Sequence, residues 1–175
     1  MKMNLVKRKT NVKIAVNTAI ERHPVPVLGV DYKVKIVYKN IRITELDIEG
    51  KTIKISLPNK YRKIANKEIL DLAIEKMYEQ IANVEIERAM EKMRIMLGFA
   101  PEEYEIAKMK TLGTCKDSKI TINPEVIKYN RKVIDYVVLH QYCHLKYKTH
   151  SKGFYKMLET YEPDYKKCEE ILLNI

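Results

Sequence analysis

Three of the four histidines in this 175-residue chain fall within eleven positions, as His140-Gln-Tyr-Cys-His144 and then His150. Residues four apart on a helix share one face, with Cβ atoms about 5–6 Å apart, so His140 and His144 can reach a single metal ion. Val133 and Val137 continue the same face, which places the pair at the end of an apolar stripe. His150 follows where the helix should have ended and the chain can turn back to supply a third nitrogen. Two buried, hydrogen-bonded histidines would leave the same HxxxH pattern. It is the third histidine that points to a metal centre, with one zinc ion per chain as the expected cofactor. The fourth, His23, precedes a proline and reads as a surface residue. Cys143 stands one residue before His144, off the metal-facing side, and reads as a small buried apolar group.

The rest of the chain has to build a frame around that helix. Its length suits one domain with a real core. With 46% hydrophobic and 32% charged residues the chain reads as globular and not disordered. No apolar run reaches signal-peptide length at the N-terminus or the roughly 18–20 residues that cross a bilayer. Cys115, Cys143 and Cys168 are an odd number, far apart and without CxxC spacing. Together these features lead us to expect a cytoplasmic protein with no membrane partner. The net charge of +10 is unevenly placed: residues 1–65 hold 15 Lys/Arg against 5 Asp/Glu, whereas residues 66–175 hold 18 of each. Such an asymmetry is either a solvated lysine-rich surface or a basic face for nucleic acid. Lys7, Arg8 and Lys9 are its densest run.

Period-two alternation marks strands at Val34–Tyr38 and Lys51–Leu57, with a further one at Ile43–Ile48. From Asn66 to Leu97 the spacing is helical, as one long helix or two broken near Asn83, with Gly98 and Pro101 as stop signals. Tyr104–Lys110 and Lys119–Asn123 read as short strands around a turn-rich Gly113–Ser118. A helix capped by Asn130 runs to about Tyr147, another runs from Ser151 to Tyr161, and Pro163 ends it or opens a last short helix. The expected fold class is α+β: a zincin-like domain with an N-terminal antiparallel sheet, a long helical segment, a β-hairpin and an HxxxH zinc helix. Residues 1–22 form an N-terminal extension and 23–175 the domain.

Five ordered motifs then carry a resemblance. They are Val27-Leu-Gly-Val-Asp-Tyr32, Leu112-Gly-Thr-Cys115, Ile120-Thr-Ile-Asn123, Asp135-Tyr-Val-Val-Leu-His-Gln-Tyr-Cys-His-Leu145, and His150-Ser-Lys-Gly-Phe-Tyr155 with Pro163-Asp-Tyr165. In this order they resemble the YgjP-like branch of the SprT-type zinc metallopeptidases, whose helix motif is DYVVxHExxHL. The resemblance implies a metal-dependent hydrolase scaffold with zinc on His140, His144 and His150. It further implies unfolded or DNA-associated protein as substrate, and possible non-specific DNA binding through the basic N-terminal third.

The departures from that pattern fall on the chemistry. In HExxH peptidases the residue after the first histidine is a glutamate, whose carboxylate takes a proton from the attacking water and passes it to the leaving amine. Here that position is Gln141, whose amide has no proton to exchange near neutral pH. Losing a general base is expected to cost roughly 10²–10⁴ in rate. Leu112, Tyr142 and Tyr155 also differ from the family's usual residues. Gln141 is then either a substitution made to silence the site or a natural divergence, and the three further changes point to divergence. Glu159, Glu162, Tyr142 and Tyr155 are candidates to replace the base, Glu159 first, against the plainer reading that each is a surface or packing residue. The sequence thus supports a metallopeptidase-like protein of weak or no activity, or alternatively a zinc-stabilised pseudo-peptidase that binds nucleic acid or protein.

Overall fold

Alternating side chains first organise the chain into a sheet, within a computed structural model that describes residues 24–63 and 66–173. Strands β1 (Val25–Val27), β2 (Val30–Lys39), β3 (Glu45–Glu49) and β4 (Thr52–Pro58) pair in the order β1-β2-β4-β3. Ile53, Ile55 and Leu57 point from β4 into the core, and Val34, Ile36 and Tyr38 flank them on β2. The α+β class stands, but this sheet is mixed and not purely antiparallel. β2 and β4 run parallel, with Val34 opposite Ile53 and Ile36 opposite Ile55. β3 reaches past β4 to the outer edge and returns through a hairpin at Gly50, so β4 enters beside β2 in the same direction. Parallel neighbours need a crossover, and here β3 with its two loops supplies it.

The tight β1–β2 turn fixes the sheet to the rest of the molecule. Leu28 and Gly29 both have positive φ, 51° and 78°, the twist a two-residue hairpin demands. Their amides donate to the carbonyls of Ile127 (2.7 Å) and Lys128 (3.1 Å). A Cβ on Gly29 would lie 3.0–3.3 Å from Asn130, at the start of the histidine-bearing helix, so the close approach requires glycine.

Helix α1 (Asn66–Leu97) is continuous over 32 residues. Asn83 does not break it, because its side chain is exposed there and its only cost is a few tenths of a kcal/mol of propensity. Tyr78, Ala82, Ile86, Ala89 and Met93, spaced three and four apart, form its buried stripe. Strands β5 (Glu103–Ile106), β6 (Gly113–Lys116) and β7 (Lys119–Ile122) make a second sheet in the order β5-β7-β6. β6 occupies part of the stretch that reads as a turn. The turn itself is confined to Asp117 and Ser118, both with positive φ.

Asn130 caps α2 (Arg131–Lys146) by accepting from the Val133 amide at 3.1 Å. Ser151 caps α3 (Lys152–Tyr161), and after Pro163 the chain forms α4 (Tyr165–Leu173). α2 is the central element. Val133–Leu139 and Gln141–Cys143 are all buried, since α1, the β5–β7 sheet, α3 and α4 enclose the helix. Among the described residues, no helix is long and apolar enough to cross a membrane.

Candidate metal centre

Two histidines come from the last turns of α2 and the third from the loop that Ser151 converts into α3. His140 and His144 are half-buried and His150 is exposed. Their ring centroids lie 4.9–5.0 Å apart, and one ring nitrogen of each falls within 4.8 Å of the others. The fully buried Phe154 forms the floor of the cluster, its ring centroid 4.7–4.9 Å from all three imidazoles. The reach-back expected of His150 therefore has a structural cause: burial of Phe154, one turn into α3, draws His150 over α2.

Hydrogen bonds decide which nitrogen each ring offers. His144 Nδ1 lies 3.0 Å from the Tyr147 carbonyl, which can only accept, so the proton sits on Nδ1 and the Nε2 lone pair is free. His140 Nδ1 lies 3.3 Å from the Tyr136 hydroxyl, and His140 Nε2 lies 3.0 Å from His150 Nε2. Burial and the neighbouring His144 and His150 push His140 down to about 4, so its imidazole is neutral at physiological pH. Tetrahedral zinc with bonds of about 2.0–2.1 Å holds its ligand nitrogens about 3.3 Å apart. The 3.0 Å between His140 Nε2 and His150 Nε2 is close to that value, and three imidazole nitrogens are a donor set that suits zinc. His140, His144 and His150 could thus hold one metal ion.

Gln141 is buried on the side of α2 that faces β6. A Cβ placed on Gly113 would lie 3.1–3.2 Å from the Gln141 side chain, so the strand approaches the glutamine as closely as a glycine permits. The loop before β6 is held by Asn123, whose amide donates to the carbonyls of Met109 (2.7 Å) and Thr111 (3.1 Å). The asparagine of the Ile120–Asn123 motif therefore positions the strand next to Gln141, a role that only the fold reveals. Gly153 performs a similar service: Tyr147 Cε1 lies 2.6 Å from where its Cβ would stand, and the Tyr147 carbonyl orients His144.

The other singled-out residues separate. Tyr142 turns away from the histidines, is 1% exposed and donates from its hydroxyl to the Met90 carbonyl at 3.1 Å. Tyr155 is exposed and its ring lies 6.0 Å from that of His150. Glu159 is exposed on α3 and is not among the converging groups, and Glu162 pairs with Lys132 at 3.4 Å. Cys143 is fully buried, with its thiol pushed up to about 12. Lys7, Arg8, Lys9 and His23 lie outside the described residues. A carboxylate absent from the candidates does approach the site: Glu169 of α4 accepts from the Tyr136 hydroxyl at 3.0 Å. Burial and this carboxylate push the Tyr136 phenol up. No local pattern joins two residues 33 positions apart.

Among solved structures, the chain is similar to the metallopeptidase zymogen abylysin of Pyrococcus abyssi, at 24% identity over 51% of this chain and 92% of that one, with a TM-score of 0.46. It is also similar to the zymogen jannalysin of Methanocaldococcus jannaschii, at 20% identity over 51% of this chain and 94% of that one, again with a TM-score of 0.46. No curated protein matches the sequence. The family model described as the YgjP-like metallopeptidase domain matches residues 2–174. This chain therefore belongs to the YgjP-like metallopeptidase family.

Proposed function

We propose that the chain is a zinc-binding, metallopeptidase-like protein in which the metal site persists and peptide hydrolysis is weak or absent. The observation that carries this reading is the convergence of His140, His144 and His150, with Nδ1 of His140 and of His144 engaged elsewhere so that Nε2 is left for a metal. Zinc held there would supply Lewis acidity, polarising a carbonyl and lowering the pKa of water towards roughly 7. Substrate, as an unfolded or DNA-associated protein, would add as a strand along the outer edge of β6, which pairs only with β7 among the described strands. Gln141 lies between that strand and the helix and can hydrogen-bond but not exchange a proton. Tyr142 is committed to Met90 and Glu162 to Lys132, so neither supplies the base.

Metal analysis of protein purified without chelator tests the reading. About one zinc per chain is expected, and His140→Ala or His144→Ala should abolish it while the fold survives. A folded, zinc-free protein that takes up no added zinc at neutral pH would overturn it.

A second reading, a binding module for nucleic acid, draws on the outer face of the first sheet. Lys33 and Lys35 are exposed on β2, and Lys54 stands directly across from Lys35 on β4. These charges, with Lys7, Arg8 and Lys9, would form the basic surface of a cytoplasmic pseudo-peptidase.

A further inference from the structure

We propose that Glu169 and Tyr136 are positioning residues that act through one another to fix the His140 ring as an Nε2 donor, tying metal affinity to the C-terminal helix. This rests on the metal-binding reading of the histidine cluster. Tyr136 precedes His140 by one helical turn, and its side chain is 4% exposed. Its hydroxyl has a single proton, and that proton faces the Glu169 carboxylate at 3.0 Å. The phenol donates to the Glu169 carboxylate oxygen and so presents its own oxygen to His140. His140 Nδ1, 3.3 Å away, is then the donor, which leaves the Nε2 lone pair directed at His150, 3.0 Å distant. His144 reaches the same tautomer through the Tyr147 carbonyl. The two helix histidines are thus set by different devices, one a local backbone carbonyl and the other a carboxylate delivered from α4. Carboxylates that orient a histidine in this way also make it a stronger ligand, and removing such partners typically costs 10–100-fold in metal affinity.

Four single variants and one double variant test the proposal by chelator competition for zinc. Tyr136→Phe keeps the buried ring and removes only the relay oxygen; it should weaken zinc binding by about 10- to 100-fold. Glu169→Gln should weaken it in the same direction, and the double variant should be no weaker than Tyr136→Phe alone. Tyr142→Phe removes another buried hydroxyl, bonded to Met90 and remote from the cluster, and should leave zinc affinity unchanged. His144→Ala gives the baseline for loss of a ligand. Long-range ¹H–¹⁵N NMR on the protein as purified should show His140 protonated on Nδ1 in the parent and redistributed between its nitrogens in Tyr136→Phe. Zinc bound with parental affinity by both Tyr136→Phe and Glu169→Gln would overturn the proposal while sparing the metal site. So would an equal loss in Tyr142→Phe, or a parental His140 protonated on Nε2. If the parent itself binds no zinc, the metal reading fails, and the tautomer measurement still decides whether the relay exists.

Discussion

In the proposed reading Gln141 is the residue on which catalysis turns, and its surroundings show what a carboxylate there would meet. The side chain is buried between α2 and Gly113 of β6, one residue after His140. Glutamate has the same shape, so Gln141→Glu should fit without moving Gly113 and without changing zinc content. Supplying a general base is worth roughly 10²–10⁴ in rate, and activity on a quenched unfolded-protein substrate should rise by that order. A zinc-loaded but inert Gln141→Glu would place the remaining defect in the substrate groove, where Leu112 and Tyr155 differ from the family's usual residues. At this scale the sequence was informative about the histidine cluster and silent about its supports. The HxxxH spacing and the third histidine disclosed the cluster because helical periodicity is local. Phe154 beneath the rings, Asn123 behind β6 and Glu169 behind Tyr136 act across the fold, where no local period connects them.

Among the elements, α2 depends on α1 through charge as well as packing. Asp135 is buried at 8% exposure, and its two oxygens accept from Arg88 (2.7 Å) and Lys92 (2.6 Å) of α1. Glu85 continues the network to Arg88 (3.0 Å) and Arg131 (2.6 Å), and Arg131 chiefly holds its carboxyl below the usual range. Breaking a fully buried pair costs about 3–5 kcal/mol. Arg88 and Lys92 retain solvent, so Asp135→Ala should cost less, about 2 kcal/mol, in urea denaturation. Removal of Glu79, whose pair with Lys76 is exposed, should leave stability unchanged by the same measurement. Capping was legible here: Asn130 and Ser151 start their helices where their side-chain chemistry says they should. Strand pairing was not. Alternation locates β2 and β4 but carries no sign of whether they run parallel, which is set by β3 turning to the outer edge. β6 was hidden because its glycine and exposed polar residues resemble a turn, and its strand conformation comes from pairing with β7.

Over the whole molecule, the charge excess belongs to residues 1–65, and the first sheet shows how its described part is arranged. Lysines 33 and 35 stand exposed on β2, whereas β3 brings Glu45, Asp47 and Glu49 to the opposite edge. Lys39 meets Glu45 at 3.4 Å and Lys54 meets Glu49 at 3.8 Å, so those two lysines are partly neutralised in place. Lys33 and Lys35 are among the described cations that remain for a polyanion, and the DNA reading adds the run Lys7, Arg8 and Lys9. A contact with DNA made by such residues reads no sequence, because its energy comes from releasing counterions from the phosphates. Each contact contributes about 0.9 to the slope of log affinity against log salt. Replacing Lys7, Arg8 and Lys9 with glutamine should therefore weaken binding equally across DNA sequences and flatten the slope by up to about 3 units. Lys33→Gln with Lys35→Gln should add up to about 2 more if both stretches serve one surface. Zinc content should not change in any of these variants, since none of the five residues approaches the histidine cluster in sequence. Gel-shift titrations at two salt concentrations measure both quantities. A parent protein that gives no shift even at low salt would remove the DNA reading, and the lysines would then be a solvated surface around a metal site.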